Sequence, residues 1–146
     1  MIAQTIQLAL APVFVLVAMG NFLNVLSSRL SRVVDRSREL QGHHVATSGP
    51  EHDMVVAEMR LIDRRMVLVT QAIRMLVMAG LSIGTTVTIL FLEELAGLSL
   101  QTVAAAFFLL AVGLLMCALV LFLRETQVAA AQLQIPRDYL ELHRDL

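Results

Sequence analysis

The sequence has no lysine and no tryptophan, and its one cysteine is Cys117. A single cysteine excludes an intramolecular disulfide, and with it a disulfide-stapled secreted scaffold. Charged residues make up only 16% of the chain, against about 25% in ordinary globular proteins. The net charge is −1, which excludes a strongly basic nucleic-acid-binding protein, so no nucleic-acid partner is predicted.

Apolar residues take the place of the missing charges. They make up 58% of the 146 residues, and the mean hydropathy is +0.76. A domain of this size exposes a large share of its surface and cannot bury so much apolar area from water. The excess must face lipid, so the lipid bilayer is the first predicted partner.

Three apolar stretches are long enough to cross a bilayer, which takes about 20 helical residues. They cover about residues 6–28, 75–92 and 100–123. Segments in lipid must satisfy their backbone groups internally, and three strands cannot close a barrel, so each stretch is predicted to be a helix. The fold class is therefore an all-α integral membrane protein with three transmembrane helices. Residues 1–146 form a single three-helix membrane domain that ends in a tail over 124–146.

The arginines predict the orientation. Eight lie within residues 29–74 and three follow the third span, while the residues before span one and between spans two and three carry none. The positive-inside rule places residues 29–74 and 124–146 in the cytoplasm and the N-terminus outside. Arg74 and Arg124 are predicted interfacial anchors. For Arg74 a buried functional charge is the alternative, since apolar residues also precede it.

Helices one and two are predicted to continue into the cytoplasm as an antiparallel hairpin over about 29–74. In the second segment, apolar residues alternate steps of four and three, which is the period of a coiled-coil seam. These residues are Val55, Met59, Ile62, Met66, Val69, Ile73 and Leu76. Residues 42–51 contain glycines and a proline and are predicted to form the turn. Residues 29–40 are net positive and 51–65 net negative, which favours their pairing.

A polar strip lies on the first span. Asn21, Asn24 and Ser28 fall on one face of a helix, and amides at this depth are not expected to face lipid. The strip either bonds to other helices or lines a water or ion path in a ring of protomers. No carboxylate accompanies it within the spans, which weakens a proton-relay interpretation.

Gly80 and Gly84 form a GxxxG pattern on the second span, which is typical of close helix packing. Three histidines lie at the predicted turn: His43, His44 and His52. Their spacing matches no metal-site signature, so no metal is predicted. Nucleophile, phosphate-loop and dinucleotide motifs are also missing, so neither an enzyme nor a cofactor is predicted.

Residues 27–38 read Ser-Ser-Arg-Leu-Ser-Arg-Val-Val-Asp-Arg-Ser-Arg, and Phe-Leu-Arg-Glu ends the third span. Together with the Arg64-Arg65 pair, these motifs resemble the bacterial membrane family catalogued as domain of unknown function 2721. The resemblance covers about residues 5–130 and implies a three-span protein of the bacterial inner membrane, with no assigned activity. It also implies that the family's core pattern includes Arg29, Arg32, Asp35 and Arg36.

Two functions remain open. The first is a non-enzymatic homo-oligomer whose cytoplasmic hairpin is an interaction surface for a protein partner. The second is a small homo-oligomeric channel lined by the polar strip of helix one. In that channel Arg29, Arg32 and Arg36 would form charged rings at the cytoplasmic mouth that favour anions, with Asp35 partly neutralising them.

Overall fold

The computed structural model describes residues 2–132, which form three helices and no strand. The helices are α1 (Ile2–Ala46), α2 (Pro50–Ala96) and α3 (Gln101–Gln132). Each is long and apolar enough to cross a membrane, which confirms the predicted all-helical fold with three candidate spans. The predicted tail begins as the last turns of α3, and its residues 133–146 lie outside the described residues.

The middle helix, α2, holds the other two together, because α1 and α3 scarcely meet each other. On α1 the side facing α2 buries a residue at every seventh position: Met19, Leu26, Val33 and Leu40. On α2 the matching positions are Ile62, Val69, Leu76 and Ile83, again seven apart. A seven-residue repeat keeps one face of each helix against its partner along the whole length.

A different set of residues packs α2 against α3. The buried positions are Ala72 and Ala79 on α2, and Ala104, Ala111 and Ala118 on α3. Alanines allow helix backbones to approach closely, and α3 does lie closer to α2 over more of its length than α1 does. We call these five residues the alanine seam.

Short links join the helices. Residues 47–49 separate α1 from α2, and Gly49 adopts a φ of 72° before Pro50 begins the next helix. Residues 97–100 separate α2 from α3, and the N–H of Gly97 (φ 67°) donates to the Glu93 carbonyl at 2.9 Å. Both glycines have a positive φ, which side-chain-bearing residues rarely adopt.

The first link is shorter than the predicted turn over 42–51. Helix α1 continues through Gly42 and two histidines to Ala46, because a glycine inside a helix costs only about 1 kcal/mol. The Thr47 hydroxyl then donates to the His43 carbonyl at 2.9 Å and ends the helix. Gly49, with its positive φ, and Pro50, which suits the first turn of a helix, fix the reversal.

Candidate functional site

Three charged side chains, one from each helix, meet at one point. The carboxylate of Glu125 on α3 is 0% exposed. Its Oε2 accepts a hydrogen bond from Arg29 Nη1 of α1 at 2.7 Å. Its Oε1 accepts bonds from Arg65 of α2, from Nε at 3.1 Å and from Nη2 at 3.0 Å. We call these three residues the Glu125 cluster.

The helical repeat explains why these side chains meet. Glu125 follows Ala118 by seven residues and Arg65 precedes Ala72 by seven, so the cluster continues the alanine seam by one more repeat. Close backbones bring the short Glu side chain within reach of Arg65. Arg29 reaches across from α1, and its guanidinium lies 5.0 Å from the centroid of the Phe122 ring, a cation–π distance.

Electrostatics make the Glu125 cluster an anchoring site. A buried carboxylate is strongly unfavourable unless it is paired and hydrogen-bonded. Here both oxygens accept charge-assisted bonds, which are stronger than neutral ones. Two arginines against one glutamate leave the cluster with a formal charge of +1. The arrangement ties three helices together and keeps positive charge at this level of the protein.

Sequence reasoning singled out Arg29 as a charge that follows the first span but missed its partners, Glu125 and Arg65. The signal was present: a charged residue stands at the next seven-residue position after three alanines of α3. Arg65 and Glu125 also lie within the motifs that carry the family resemblance. What the sequence lacks is the register between α2 and α3, which the alanine seam sets.

The Glu125 cluster also gives a common level along the three helices, with which the positions of the other arginines can be compared. Arg124 adjoins Glu125 and therefore lies level with Arg29 and Arg65. Arg74 lies nine residues from Arg65 along α2, about 13 Å nearer the end of the helix at Ala96. Its side chain is exposed. The α2 arginine that is level with Arg29 and Arg124 is thus Arg65, and Arg74 lies deeper within the apolar part of the helix.

The polar strip of α1 faces away from the other helices. Asn21, Asn24 and Ser28 are all exposed, since the opposite face of α1 packs on α2. Helices α1 and α2 run antiparallel. The nine residues from Arg65 to Arg74 on α2 therefore cover nearly the same length as the eight residues from Arg29 back to Asn21 on α1. Asn21, at one end of the strip, therefore lies at about the level of Arg74, whereas Ser28, at the other end, lies next to Arg29.

Beyond the cluster, the exposed ion pair between Arg36 and Glu58 joins α1 to α2, and a second pair, Arg36 with Glu39, lies within α1. Arg36 donates from Nε and Nη2 to Glu58 Oε1 at 2.9 and 2.7 Å, and from Nη1 to Glu39 Oε2 at 2.8 Å. The hydrogen bonds that Arg36 donates to Glu58, and then to Glu39, raise the pKa of Arg36 above its ordinary value. Arg32 and Asp35, the other predicted charges, are exposed on α1.

Gly80 and Gly84, predicted to pack helices, occupy different surroundings. A Cβ at Gly80 would meet Leu16 Cδ1 and Met19 Cε of α1, both at 3.8 Å, whereas one at Gly84 would meet nothing within 4 Å. The predicted histidines lie near the first link, where His44 and His52 place their ring centroids 4.4 Å apart. Within residues 2–132, no group of three or more metal-ligating side chains converges.

A groove of about 700 Å³ lies beside the exposed ion pairs. Most of its lining comes from α2, including Met54, Leu61 and Arg65, and Arg36 of α1 contributes to it. Met54 is 74% exposed and Leu61 41% exposed. The groove therefore has exposed apolar side chains surrounded by charged ones. We call it the Met54 groove.

A comparison with protein families gives one match. The model of a family described as "Protein of unknown function (DUF2721)" matches residues 9–135. This range includes the whole Glu125 cluster, the polar strip and the Met54 groove. No curated protein and no solved structure matches the chain.

Proposed function

Because the chain belongs to the DUF2721 family, as its motifs predicted, and is built of three candidate membrane spans, we propose a non-enzymatic, homo-oligomeric protein of the bacterial inner membrane. In this proposal the ends of α1 and α2 near their link form a cytoplasmic hairpin that binds a protein partner. The N-terminus lies outside, and α3 leads into the cytoplasm.

Charge distribution supports this orientation. The described arginines lie level with the polar strip or on the side of it that carries the link between α1 and α2, and they include Arg29 and Arg65 of the Glu125 cluster. The opposite end carries Glu93 and Glu94, and Glu94 accepts a hydrogen bond from the Thr5 hydroxyl at 3.1 Å. An end rich in arginine faces the cytoplasm in bacterial inner-membrane proteins.

The Met54 groove is the observation that carries the partner proposal. From Arg29 to Ala46, α1 extends about 25 Å past the Glu125 cluster at 1.5 Å per residue. This length projects the groove away from the membrane. Exposed apolar side chains inside a charged rim are typical of surfaces that bind an amphipathic helix. Arg36 and Glu58 at the rim would orient such a helix.

Site-specific photocrosslinking in cells tests this surface. A photoreactive side chain at Leu61 is expected to yield a discrete adduct with a second protein, and Met54→Asp is expected to abolish it. The matched control is the same side chain at Asp63, which is exposed but points to another side of α2. Equal adducts at Leu61 and Asp63, or none at Leu61, would contradict the proposal.

The polar strip supports the homo-oligomer. Exposed amides at Asn21 and Asn24 would face lipid in a lone protomer, where their hydrogen-bonding groups have no partner. Contact with a second copy satisfies them. A mass above that of the monomer is expected both in mild detergent and in nanodiscs, and Asn21→Leu combined with Asn24→Leu should reduce it. A monomer under both conditions would contradict the oligomer.

A channel is the second candidate, favoured by the position of Asn21, Asn24 and Ser28 on one exposed face. Packed around an axis, α1 helices would line a path with them, and the exposed Arg32 would stand at its cytoplasmic end. Chloride flux into vesicles is then expected to fall with Asn21→Leu and to persist with Val25→Leu, an exposed apolar control. Absence of flux at every potential and pH would reject the channel.

A further inference from the structure

A second groove lies between α2 and α3 at the level of the Glu125 cluster. Its volume is about 410 Å³, and Arg64 and Arg124 both contribute to its lining. Each of these arginines precedes a member of the cluster in the chain, Arg65 and Glu125 respectively. The groove therefore lies on the outside of the protein, beside the point where the three helices are tied together. We call it the Arg64 groove.

Its charge is uncompensated within the described residues. Arg64 and Arg124 are exposed and take part in none of the ion pairs among residues 2–132. The adjacent carboxylate, Glu125, is already bonded to Arg29 and Arg65. Two free guanidiniums lining one groove favour an anion, and the planar guanidinium fork suits the oxygens of a phosphate.

Depth and polarity identify the kind of anion. Residues 102–123 of α3 contain no charged residue and span about 33 Å, close to the hydrocarbon thickness of a bilayer. Arg124 follows at once, so the groove opens at the level of lipid headgroups. Leu68, one turn from Arg64 toward the apolar part of α2, gives the groove an apolar wall on the membrane side, and Gln127, Val128 and Ala131 line it on the other side of Arg124.

We propose that the Arg64 groove binds the phosphate of an anionic phospholipid, with Arg64 and Arg124 holding its oxygens and the acyl chain lying past Leu68. Basic pockets between transmembrane helices at the cytoplasmic surface suit such headgroups. A free phosphate shares the headgroup chemistry but gains nothing from the apolar wall. The proposal is independent of the oligomer, the partner and the channel.

Native mass spectrometry of the full-length protein tests the proposal. The protein is released from vesicles that contain equal amounts of phosphatidylglycerol and phosphatidylcholine. The wild type is expected to retain phosphatidylglycerol preferentially. Loss of each arginine should lower this preference about five-fold, and the double variant Arg64→Gln, Arg124→Gln about thirty-fold.

Two matched variants control for charge and folding. Arg38→Gln with Arg60→Gln removes the same charge at exposed positions outside the groove and should leave the preference unchanged. Arg64→Lys with Arg124→Lys keeps the charge and should retain most of the preference, which separates binding from misfolding. An equal loss in the Arg38, Arg60 pair, or full retention in the glutamine double variant, would overturn the proposal.

Calorimetry with inorganic phosphate in lipid-free detergent distinguishes the two sources of phosphate. We expect no heat of binding at millimolar phosphate, because the apolar wall then has no ligand to contact. Phosphate binding that disappears in the glutamine double variant would show a site for the free ion and would overturn the assignment to a lipid.

Discussion

The two packed faces of α2 are built from opposite kinds of residue. Toward α1 the buried positions are large, for example Val69 and Leu76, whereas toward α3 they are alanines such as Ala72 and Ala79. Both faces use the same seven-residue spacing. These two sets of buried residues therefore differ in side-chain size, and small side chains allow the neighbouring helix to come nearer.

This contrast matters because lipid offers little hydrophobic gain for helix association. Helices in a bilayer associate by van der Waals packing and by polar bonds. The α1 face gains contact through interlocking large side chains, and the α3 face gains it through close backbones. Close approach also brings Glu125 of α3 within reach of Arg65. The Glu125 cluster therefore depends on the alanine seam.

Removal of the Glu125 carboxylate should have the largest effect on stability. Glu125→Ala deprives Arg29 and Arg65 of a buried shared partner, and breaking a buried ion pair costs about 3 kcal/mol or more. The free energy of unfolding, measured in detergent by helical circular dichroism, should fall by that amount. Glu125→Gln keeps the shape of the side chain, so its free energy of unfolding should fall less. Equal stability of Glu125→Ala and wild type would show that the cluster does not hold the helices.

Enlarging the alanine seam should have the next largest effect. Ala111→Leu places three more carbons where the residue is 1% exposed, and overpacking costs up to about 3 kcal/mol. The same change at Ala106, which is exposed on α3, is the control and should be nearly neutral. If both variants unfold alike, close approach of α2 and α3 is not required.

Truncation on the other face of α2 should cost somewhat less. Leu76→Ala is expected to lower stability by about 2 kcal/mol, the low end for a buried leucine, because lipid tails are as apolar as the lost side chain. Leu81→Ala, at 63% exposure, is the matched control with little change. A loss for Leu76→Ala below that of Leu81→Ala would contradict the packing of α1 on α2.

The exposed ion pair should have the smallest effect. Glu58→Gln removes the negative charge that pairs with Arg36 and weakens the two hydrogen bonds that Glu58 accepts, but both side chains face water, and exposed pairs contribute about 0–1 kcal/mol. Because Glu39 still bonds to Arg36, the change should fall below about 0.5 kcal/mol by the same unfolding measurement. A loss comparable to that of Glu125→Ala would mean that the buried and the exposed ion pairs contribute equally to stability, contrary to this prediction.

Much of this architecture could be predicted from the sequence, because it depends on spacing within one helix. The steps of four and three from Val55 to Leu76 reappear as buried positions at Ile62, Val69 and Leu76. Apolar length predicted the three candidate spans in the same way. Arginine positions predicted an orientation, which stays a prediction.

The remainder depends on how separate helices align. Nothing local pairs Glu125 with Arg65, sixty residues away, until the alanine seam sets the register. The same register places Arg74 about 13 Å farther along the bundle than Arg29, toward the end of α2 at Ala96. The lengths of the apolar stretches had predicted that Arg74 is an interfacial anchor. The first link was predicted too long because residues 42–46 contain a glycine and histidines that a helix tolerates.

The seven-residue spacing of the buried positions also has a geometric consequence for the protein as a whole. Helices that repeat every seven residues wind around each other in a left-handed supercoil with a pitch of about 150 Å. The 45 residues of α1 span about 67 Å, which corresponds to a rotation of roughly 160°. From Asn21 to the link at Ala46, about 37 Å along α1, a given side of the helix pair therefore turns by roughly 90°. In the proposed oligomer, a second protomer at the polar strip and a partner in the Met54 groove would therefore approach the helix pair from different directions.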